Sequence, residues 1–443
     1  MASTLTKARK QSQKNPSRSR LKKSEALWNQ SRTLIPCGTQ TLSKGPNMHA
    51  EGIYPKYLEK GRGAHVWDVD GNEYIDYPMA LGPILLGYAY PATVKTVTHQ
   101  MRQGTSFSLM HPLEVEVAEL MKACIPCAEM TRFSKTGSEA ASAAVRLARA
   151  FTGKDMILHC GYHGWHDWHI VNTAYDAGIP SVLKNYIRNF EYNHLDSLER
   201  LFKEYRGKVA AVIMEPVGVI EPKPDFLKSV KKMAHDNGAL LIYDEIITGF
   251  RWSLGGAQEY FGVIPDLACF GKAMANGVPI SAVCGKSEVM KTCEKIFFST
   301  TFGGDCLGLA AAKSTIQEIK NRQVIAHIWD LGHRLKEGIN RLARDIGVFV
   351  ECVGMAPHTV LTYKDREGKH SNLIKTFVLQ ETVRRGIILG SGMFICYRHT
   401  RRDLEKTLQA CEETFVILKK YQDQNILAEK VEGPLVRDVF RRA

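Results

Sequence analysis

The chain has 443 residues, of which 44% are hydrophobic and 24% charged, and its formal net charge is +13. This composition is typical of a globular protein of one to three domains, and no apolar run approaches the roughly 18 residues that a membrane span needs. Eleven cysteines without a signal peptide or a repeated spacing favour a reducing compartment, so we expect a cytoplasmic protein without disulfides.

Much of the positive charge lies in residues 1–24, which contain eight Lys and Arg and no Asp or Glu. Without these eight, the net charge falls from +13 to +5, a modest surplus. The segment is rich in Ser, Gln and Asn, which predicts a disordered tail. A transit peptide and a nucleic-acid-binding arm are the alternatives. The segment lacks an amphipathic stripe and the chain lacks a nucleic-acid motif, so we do not expect nucleic acid as a partner.

In chain order, the first elements are a short helix over residues 24–34, a loop over 37–47 and a β-hairpin around Asp70–Gly71, where apolar and polar residues alternate. Helical spacing follows at 94–101 and 114–124. Residues 131–153 then predict a strand, a glycine turn and a helix. Four short apolar strands at 156–159, 209–214, 239–243 and 267–270 alternate with helical patterns such as 224–237. This alternation predicts an α/β domain with a mainly parallel sheet, whose ligands bind at the carboxyl ends of the strands.

The last part of the chain has a different pattern. Helices are predicted at 311–319 and 327–343, strands at 348–352 and 359–363, a helix from residue 372, a strand near Ile387 and a helix from residue 401. We interpret this part as a separate α+β domain that begins near residue 322.

Four residues with reactive or aromatic side chains directly follow the predicted strands: Tyr162, Glu215, Asp244 and Lys272. Lys272 lies in CFGKAMANG, whose small and apolar residues indicate burial, and a buried lysine is a nucleophile towards aldehydes. A surface lysine and a helix cap are the ordinary interpretations of Lys272 and Asp244. In the functional interpretation, Asp244 keeps a pyridine nitrogen protonated and Lys272 moves a proton as general acid and base.

Two glycine- and hydroxyl-containing turns are candidate phosphate sites. Gly137 and Ser138, with Thr136 as a third candidate, open a predicted helix whose free amide groups can bind a phosphate. An ordinary capping box is the alternative, because Glu139 follows in the first turn. The second turn, residues 299–305, contains Thr301 and also precedes a helix.

Two other motifs are better explained without metal or redox chemistry. His163, His166 and His169 recur every three residues, but a helix would turn their side chains away from one another, so we expect no zinc site. Tyr162, between glycines at a strand end, instead suits stacking on a flat ring. Cys124 and Cys127 have redox spacing without a partner pair, and we interpret both as structural.

Taken together, these motifs resemble the class III pyridoxal-phosphate aminotransferases, and most closely the glutamate-1-semialdehyde 2,1-aminomutase branch. The resemblance rests on GSEA, YHG, EP, DEIITGFR, DLACFGKAMANG and STTFGGD in this order, with Lys272 placed 28 residues after Asp244. It extends from Gly38 to Leu418, because AHVWDVDGNEYIDY, QGTSFS and RRDLEKTLQACEE are also similar.

The resemblance implies a fold of the aspartate aminotransferase type (fold type I), with a seven-stranded, mainly parallel sheet in a large domain and a smaller α+β domain formed by both chain ends. The expected divisions are a tail over 1–24, an N-terminal segment over 25–80, a cofactor-binding domain over 81–321 and a small domain over 322–443. The implied cofactor is pyridoxal 5'-phosphate. The implied assembly is a homodimer with shared active sites, which acts on a small-molecule amino donor and a carbonyl acceptor.

Carried over to this sequence, the resemblance makes Lys272 the residue that forms the internal aldimine and Asp244 the partner of the pyridine nitrogen. The remaining implied contacts are Ile246 and Tyr162 on the two faces of the ring, Glu215 beside it, Gly137 and Ser138 at the phosphate, and Thr301 at the phosphate of the neighbouring subunit.

Several departures separate the chain from the aminomutases. Lys44 stands where these enzymes carry an arginine that grips the substrate carboxylate, and a lysine lacks the planar fork. VGVIEPKPDF after Glu215 lacks the expected asparagine, AYDAGIP replaces a glycine-rich gating loop, and GSGMFICYR has no match to an expected glutamate. We therefore predict an aminotransferase whose acceptor is an aldehyde or ketone, such as a keto-sugar or the product of a non-α-amine, with the aminomutase as the alternative.

Overall fold

The structure, a computed structural model, describes residues 20–437. Most of the predicted disordered tail therefore lies outside the described residues, and the first helix begins at Lys22, two residues earlier than predicted. The helices are α1 (Lys22–Leu34), α2 (Pro91–Gln103), α3 (Pro112–Cys124), α4 (Gly137–Thr152), α5 (Asp167–Ile170), α6 (Leu195–Glu204), α7 (Phe226–Asp236), α8 (Ala257–Tyr260), α9 (Ser287–Met290), α10 (Cys306–Asn321), α11 (Val324–Ile346), α12 (Asn372–Arg384), α13 (Arg401–Asp423) and α14 (Leu427–Lys430). The strands are β1 (Leu58–Arg62), β2 (His65–Asp68), β3 (Glu73–Asp76), β4 (Met130–Ser134), β5 (Met156–Cys160), β6 (Ile187–Asn189), β7 (Val209–Met214), β8 (Leu240–Asp244), β9 (Leu267–Phe270), β10 (Ser281–Gly285), β11 (Val350–Met355), β12 (His358–Tyr363), β13 (Ile387–Ile388) and β14 (Met393–Phe394).

The central sheet has seven strands in the order β4-β10-β9-β8-β7-β5-β6. Every neighbouring pair from β9 to β6 is parallel, while β10 runs antiparallel to both β9 and β4. The strands β5, β7 and β9 are buried along their whole length, as expected for a sheet with both faces covered. The predicted mainly parallel, seven-stranded α/β fold is confirmed.

The helix α4 packs across β7, β9 and β10 and closes one face of this sheet. Its buried side is made largely of alanine, including Ala140, Ala141, Ala144 and Ala148. Such small side chains let the helix backbone approach the strands closely. The N-terminus of α4 is thereby held at the edge of the sheet where the parallel strands end.

Both ends of the chain contribute to a second structural unit. The predicted hairpin is confirmed as β2 and β3, and β13 from the C-terminal region pairs with β3, with Ile387 opposite Ile75. These strands and β1 form a four-stranded sheet, while β11, β12 and β14 form a three-stranded sheet that α11, α12 and α13 cover. The expected small α+β unit built from both chain ends is therefore present.

Some elements differ from the prediction. The strand predicted at 348–352 lies at Val350–Met355, and the predicted loop 37–47 consists largely of short helical turns. The strands β1 and β10 were not predicted, because LEKGR is charged and exposed and SAVCG has no apolar alternation. None of the helices in residues 20–437 is long and apolar enough to cross a membrane.

Candidate functional site

The candidate site lies where four adjacent parallel strands end. Lys272 follows β9, Asp244 ends β8, Glu215 follows β7, and Tyr162 follows β5. Because β9, β8, β7 and β5 are neighbours in this order, their carboxyl ends form one row. The sequence predicted that each residue follows a strand, and the sheet order brings the four together.

The carboxylate of Asp244 is buried and held by a histidine. Nδ1 of His163 lies 2.9 Å from Asp244 Oδ2, and Nε2 lies 3.1 Å from the carbonyl oxygen of Cys160. Both partners are acceptors, so an imidazole ring that carries both protons donates to both. The backbone N–H of Ile246 donates to Asp244 Oδ1 at 3.1 Å. His163 therefore fixes the orientation of Asp244.

The contact of His163 with Asp244 was not predicted, because the sequence analysis considered His163 only as a metal ligand. The signal was present, because His163 follows the same strand end as Tyr162. His166 is engaged elsewhere, with Nδ1 2.7 Å from Ser142 Oγ. Among residues 20–437 no group of three or more His, Cys, Asp and Glu side chains is arranged to hold a metal ion.

Lys272 opens a short helical turn directly after Gly271 and has a positive φ of 39°. A lysine in the left-handed region is strained, and such strain is often found at functional sites. Burial lowers the pKa of its amine and the charge of Arg251 acts in the same direction, while Glu215 and Asp244 oppose both. A lowered pKa increases the fraction of neutral, nucleophilic amine.

Glu215 lies between the Asp244 and Tyr162 positions. Burial and the nearby charge of Asp244 raise the pKa of its carboxyl group, and its Oε2 accepts a hydrogen bond of 3.3 Å from the backbone N–H of Tyr162. The ring of Tyr162 is about half exposed and packs edge-on against His169, with ring centroids 5.6 Å apart. About half of the Tyr162 side chain is therefore exposed at this end of the strands.

The turn at the start of α4 contains a complete capping box. The Thr136 hydroxyl accepts from the backbone N–H of Glu139, and the Glu139 carboxylate accepts from the backbone N–H of Thr136. The alternative interpretation, an ordinary capping box, is therefore present, and the Thr136 side chain takes part in it. The amide groups of Gly137 and Ser138, in the first turn of the helix, have no acceptor within the helix and are suited to an anion.

Ile246 joins this turn to the lysine turn. A Cβ atom added to either Gly137 or Gly271 would lie 3.1 Å from Ile246 Cδ1, so the side chain lies against both glycines. Asp244, Ile246, Gly137 and Lys272 consequently lie close together at this end of the sheet.

Two predicted site residues lie apart from this group. Thr301 is exposed, and the following Gly303 and Gly304 pack near Phe133 and Glu114, so within residues 20–437 this turn contacts β4 and α3 rather than the lysine turn. Lys44 is exposed at the end of a helical turn. Burial raises the pKa of Asp76 to about 6, against the hydrogen bond from Tyr88 and the positive charge of Lys44.

Two further residues were not predicted and connect the site to both chain ends. Arg251 is fully buried and donates to the carbonyl oxygens of Gly82 at 2.8 Å and Ile395 at 2.9 Å. Asn276 accepts from the backbone N–H of Leu86 and donates to the carbonyl oxygen of Gly87. All of these partners are distant backbone atoms, which no local sequence pattern reveals.

Comparison with known proteins gives the family. Residues 48–392 match the family model described as aminotransferase class-III. A 3-aminobutyryl-CoA aminotransferase of Cloacimonas acidaminovorans (strain Evry) is 37% identical over 411 residues, covering 90% of this chain and 98% of the relative. A glutamate-1-semialdehyde 2,1-aminomutase of Alkaliphilus oremlandii (strain OhILAs) is 35% identical over 432 residues, covering 90% of this chain and all of the relative.

Solved structures agree in fold. The pyridoxal-phosphate internal aldimine form of the FumI protein of Sphingopyxis sp. MTA144 has a TM-score of 0.85 and 27% identity, covering 92% of this chain and all of the other. An omega-transaminase of Sphaerobacter thermophilus has a TM-score of 0.83 at 24% identity, covering 90% of this chain and 98% of the other.

The geometry fits the cofactor of this family, because a buried lysine, a carboxylate held by His163 and a glycine-lined helix N-terminus lie close together. The chain therefore belongs to the class III aminotransferases and is a pyridoxal-phosphate-dependent enzyme.

Proposed function

We propose that the group around Ile246 is the active site and that its residues have distinct roles. The observation that carries this proposal is the convergence of Lys272, the Asp244–His163 pair and the N-terminus of α4 around Ile246. The proposed assignment is Lys272 as the covalent attachment point, Asp244 at the pyridine nitrogen, Gly137 and Ser138 at the phosphate, Ile246 and Tyr162 on the two ring faces, and Glu215 beside the ring.

When bound, pyridoxal phosphate supplies an electron-withdrawing ring that makes the substrate C–H bond acidic. His163 holds Oδ2 of Asp244, and a carboxylate oriented in this way would favour a protonated ring nitrogen. The Lys272 amine, whose pKa burial lowers, accepts the proton from the substrate carbon and returns it to the neighbouring position. The half-exposed Tyr162 ring and the Ile246 side chain would contact the two faces of the cofactor ring.

The overall reaction that we propose is amino transfer between an amino-acid donor and a separate aldehyde or ketone. Lys44, which the resemblance implies at the substrate, supports this acceptor class, because a lysine offers a substrate carboxylate no bidentate grip. The 37% identical relative is named for a CoA thioester substrate, which also lacks a free carboxylate beside the reacting carbon. We therefore propose a carbonyl acceptor without a free α-carboxylate, such as a 3-oxoacyl thioester or a keto-sugar. The intramolecular aminomutase is the second candidate, because a 35% identical relative carries that name.

A two-part assay tests this function. The holoenzyme is first mixed with glutamate-1-semialdehyde alone, and isomerisation at the rate of a dedicated mutase would refute an intermolecular enzyme. The same preparation is then tested with one amino donor and a panel of acceptors containing 3-oxobutyryl-CoA (the keto form of 3-aminobutyryl-CoA), keto-sugars and α-keto acids. The proposal predicts that acceptors without an α-carboxylate have the highest kcat/KM. A preference for α-keto acids would contradict the proposed acceptor while leaving the aminotransferase chemistry intact.

We also propose a homodimer in which Thr301 reaches the phosphate site of the partner. Large apolar side chains are exposed around its turn, with Leu109 80% exposed, Met110 83% and Phe297 82%. Met110, Phe133 and Thr300 line one surface groove. A cluster of exposed apolar side chains is expected to be covered by another protein surface.

Subunit mixing tests the shared site. Lys272→Ala and Thr301→Arg variants are each prepared alone and then mixed under conditions that exchange subunits. In a mixed dimer one site receives Lys272 from one subunit and Thr301 from the other, so activity should return to about a quarter of the wild-type value, since half the dimers are mixed and each has one intact site of two. Failure of a demonstrably mixed dimer to regain activity would refute the shared site.

The compartment and the domain boundaries are also proposals. All eleven cysteines are unpaired, which supports a reducing compartment such as the cytoplasm. The boundary proposed at 321/322 falls between the end of α10 at Asn321 and the start of α11 at Val324.

A further inference from the structure

Residues 427–437, which we call the C-terminal strap, cross α12 and bond to its buried polar side chains. Gln380 donates to the carbonyl oxygen of Lys430 at 3.0 Å and accepts from the backbone N–H of Glu432 at 2.9 Å. Thr376 accepts from the backbone N–H of Val436 at 3.0 Å. Both α12 side chains are almost fully buried, so they depend on these partners.

The strap ends on the loop that carries Lys44. The backbone N–H of Arg437 donates to the carbonyl oxygen of Asn47 at 2.9 Å. A Cβ atom added to Gly45 would lie 2.8 Å from Asn47 Oδ1, so the Asn47 side chain lies over the residue directly after Lys44. The strap therefore contacts Asn47, and Asn47 in turn lies against Gly45, the neighbour of Lys44.

A second contact holds the same loop further along. Gly433 has a φ of +83°, and a Cβ atom added there would lie 2.7 Å from the carbonyl oxygen of Glu51. Any larger residue would push the strap away from this backbone. Val436 anchors the strap with 2% exposure, while the neighbouring Leu435 is 45% exposed.

We propose that the C-terminal strap is a positioning element for the loop over residues 42–51: it fixes Asn47 and Glu51, thereby holds Lys44 in place, and so sets the affinity for the carbonyl acceptor. The inference rests on the proposed role of Lys44 at the substrate site. The strap contacts neither cofactor nor substrate, so it acts through the loop. The competing explanation is that the strap only covers the polar side of α12 and stabilises the fold.

A pair of neighbouring substitutions separates these explanations. Val436→Asp places a carboxylate at the buried anchor, and Leu435→Asp places the same group one residue earlier on the exposed side. Both are made in the full-length holoenzyme. Thr376→Val, which keeps the side-chain volume and removes the acceptor for Val436, replaces Val436→Asp if that variant fails to fold.

The measurements are hydrogen exchange of residues 42–51, retention of the cofactor absorbance, and kcat and KM for the acceptor. The strap proposal predicts faster exchange of the loop and a roughly fivefold or greater rise in acceptor KM for Val436→Asp, with kcat within about twofold of the wild type and Leu435→Asp unchanged. Unchanged loop exchange in Val436→Asp would overturn the strap as a positioning element.

Faster loop exchange with an unchanged acceptor KM would overturn the proposal in a different way, because the loop would then not bind the acceptor. Failure of the aminotransferase function itself would be visible in the wild-type enzyme, which would show no amino transfer. A parallel fall of kcat and cofactor retention in Val436→Asp would favour the purely stabilising explanation and also overturn the proposal.

Discussion

Replacement of Gly164 by alanine tests the proposed phosphate site without touching a residue assigned to it. The loop after β5 passes over the start of α4, where the backbone N–H of Trp165 donates to Ser138 Oγ at 3.2 Å. An added Cβ atom at Gly164 would lie 2.3 Å from that oxygen and 2.7 Å from the Cα atom of Ser138. Because ordinary contacts lie between 3.4 and 4 Å, Ser138 and the loop must separate by about 1 Å.

The expected effect has two parts. Gly164 has a φ of +96°, and a side chain in this region costs about 1 to 2 kcal/mol of folding stability. Displacement of Ser138 further removes hydrogen bonds to a charged phosphate, which are worth about 1.5 to 3 kcal/mol. The dissociation constant of pyridoxal phosphate should therefore rise by roughly 10- to 150-fold.

Gly207→Ala is the matched control, because its φ is +75° and nothing lies within 4 Å of the added Cβ atom. Thermal unfolding of the two apoproteins measures the backbone cost, and fluorescence titration with pyridoxal phosphate measures affinity. Both variants should lose stability, and only Gly164→Ala should lose affinity. Equal cofactor affinity in the two variants would refute the placement of the phosphate at Ser138.

Three further substitutions probe other parts of the structure. Lys272→Ala should abolish amino transfer, and after borohydride reduction mass spectrometry should find no peptide of the variant that carries the cofactor; a labelled peptide elsewhere would contradict the assignment. His163→Gln should lower kcat by about 10- to 100-fold with little change in donor KM, since it weakens the support of Asp244, and an unchanged kcat would exclude that support. The hydrogen bond to Asp403, followed by the interactions with Glu73, raises the pKa of His65, so this contact stabilises the fold below the unfolded pKa of about 6.5 and is lost as the pH rises through the folded pKa. Thermal unfolding should thus show His65→Gln to be more destabilising near pH 5.5 than near pH 9, and the reverse order would contradict the sign.

The catalytic candidates were predictable because they follow local patterns. Asp244 and Lys272 each follow a short apolar strand, and a strand end is visible in a window of a few residues. The order of the strands, which makes these residues neighbours, depends on pairings between distant segments. The sequence therefore predicted the residues and their edge of the sheet, while their grouping around Ile246 required the structure.

Other residues were hidden for a physical reason. Arg251 bonds to backbone carbonyl groups of Gly82 and Ile395, and carbonyl groups have no residue identity that a motif could display. The turn at Thr136 is the opposite case, because a capping box and a phosphate site could both be predicted from the local sequence. The structure contains the capping box, and the amide groups proposed for the phosphate lie beside it. Lys44 was noticed as a departure from the family, but the contact of its loop with the C-terminal strap at Asn47 became clear only from the fold.

The position of β10 has a consequence for biosynthesis. β4 has a single neighbour in its sheet, β10, and the hydroxyl groups of Ser134 and Ser281 that meet across this pair are 147 residues apart in sequence. During translation, β4 and α4 leave the ribosome long before β10 is synthesised, and a strand with unpaired backbone groups is prone to aggregate. A nascent chain that ends after β9 contains Asp244 but lacks β10, the strand that lies between β4 and β9. We therefore expect chaperone dependence to end, and tight cofactor binding to begin, only once β10 has been synthesised and inserted.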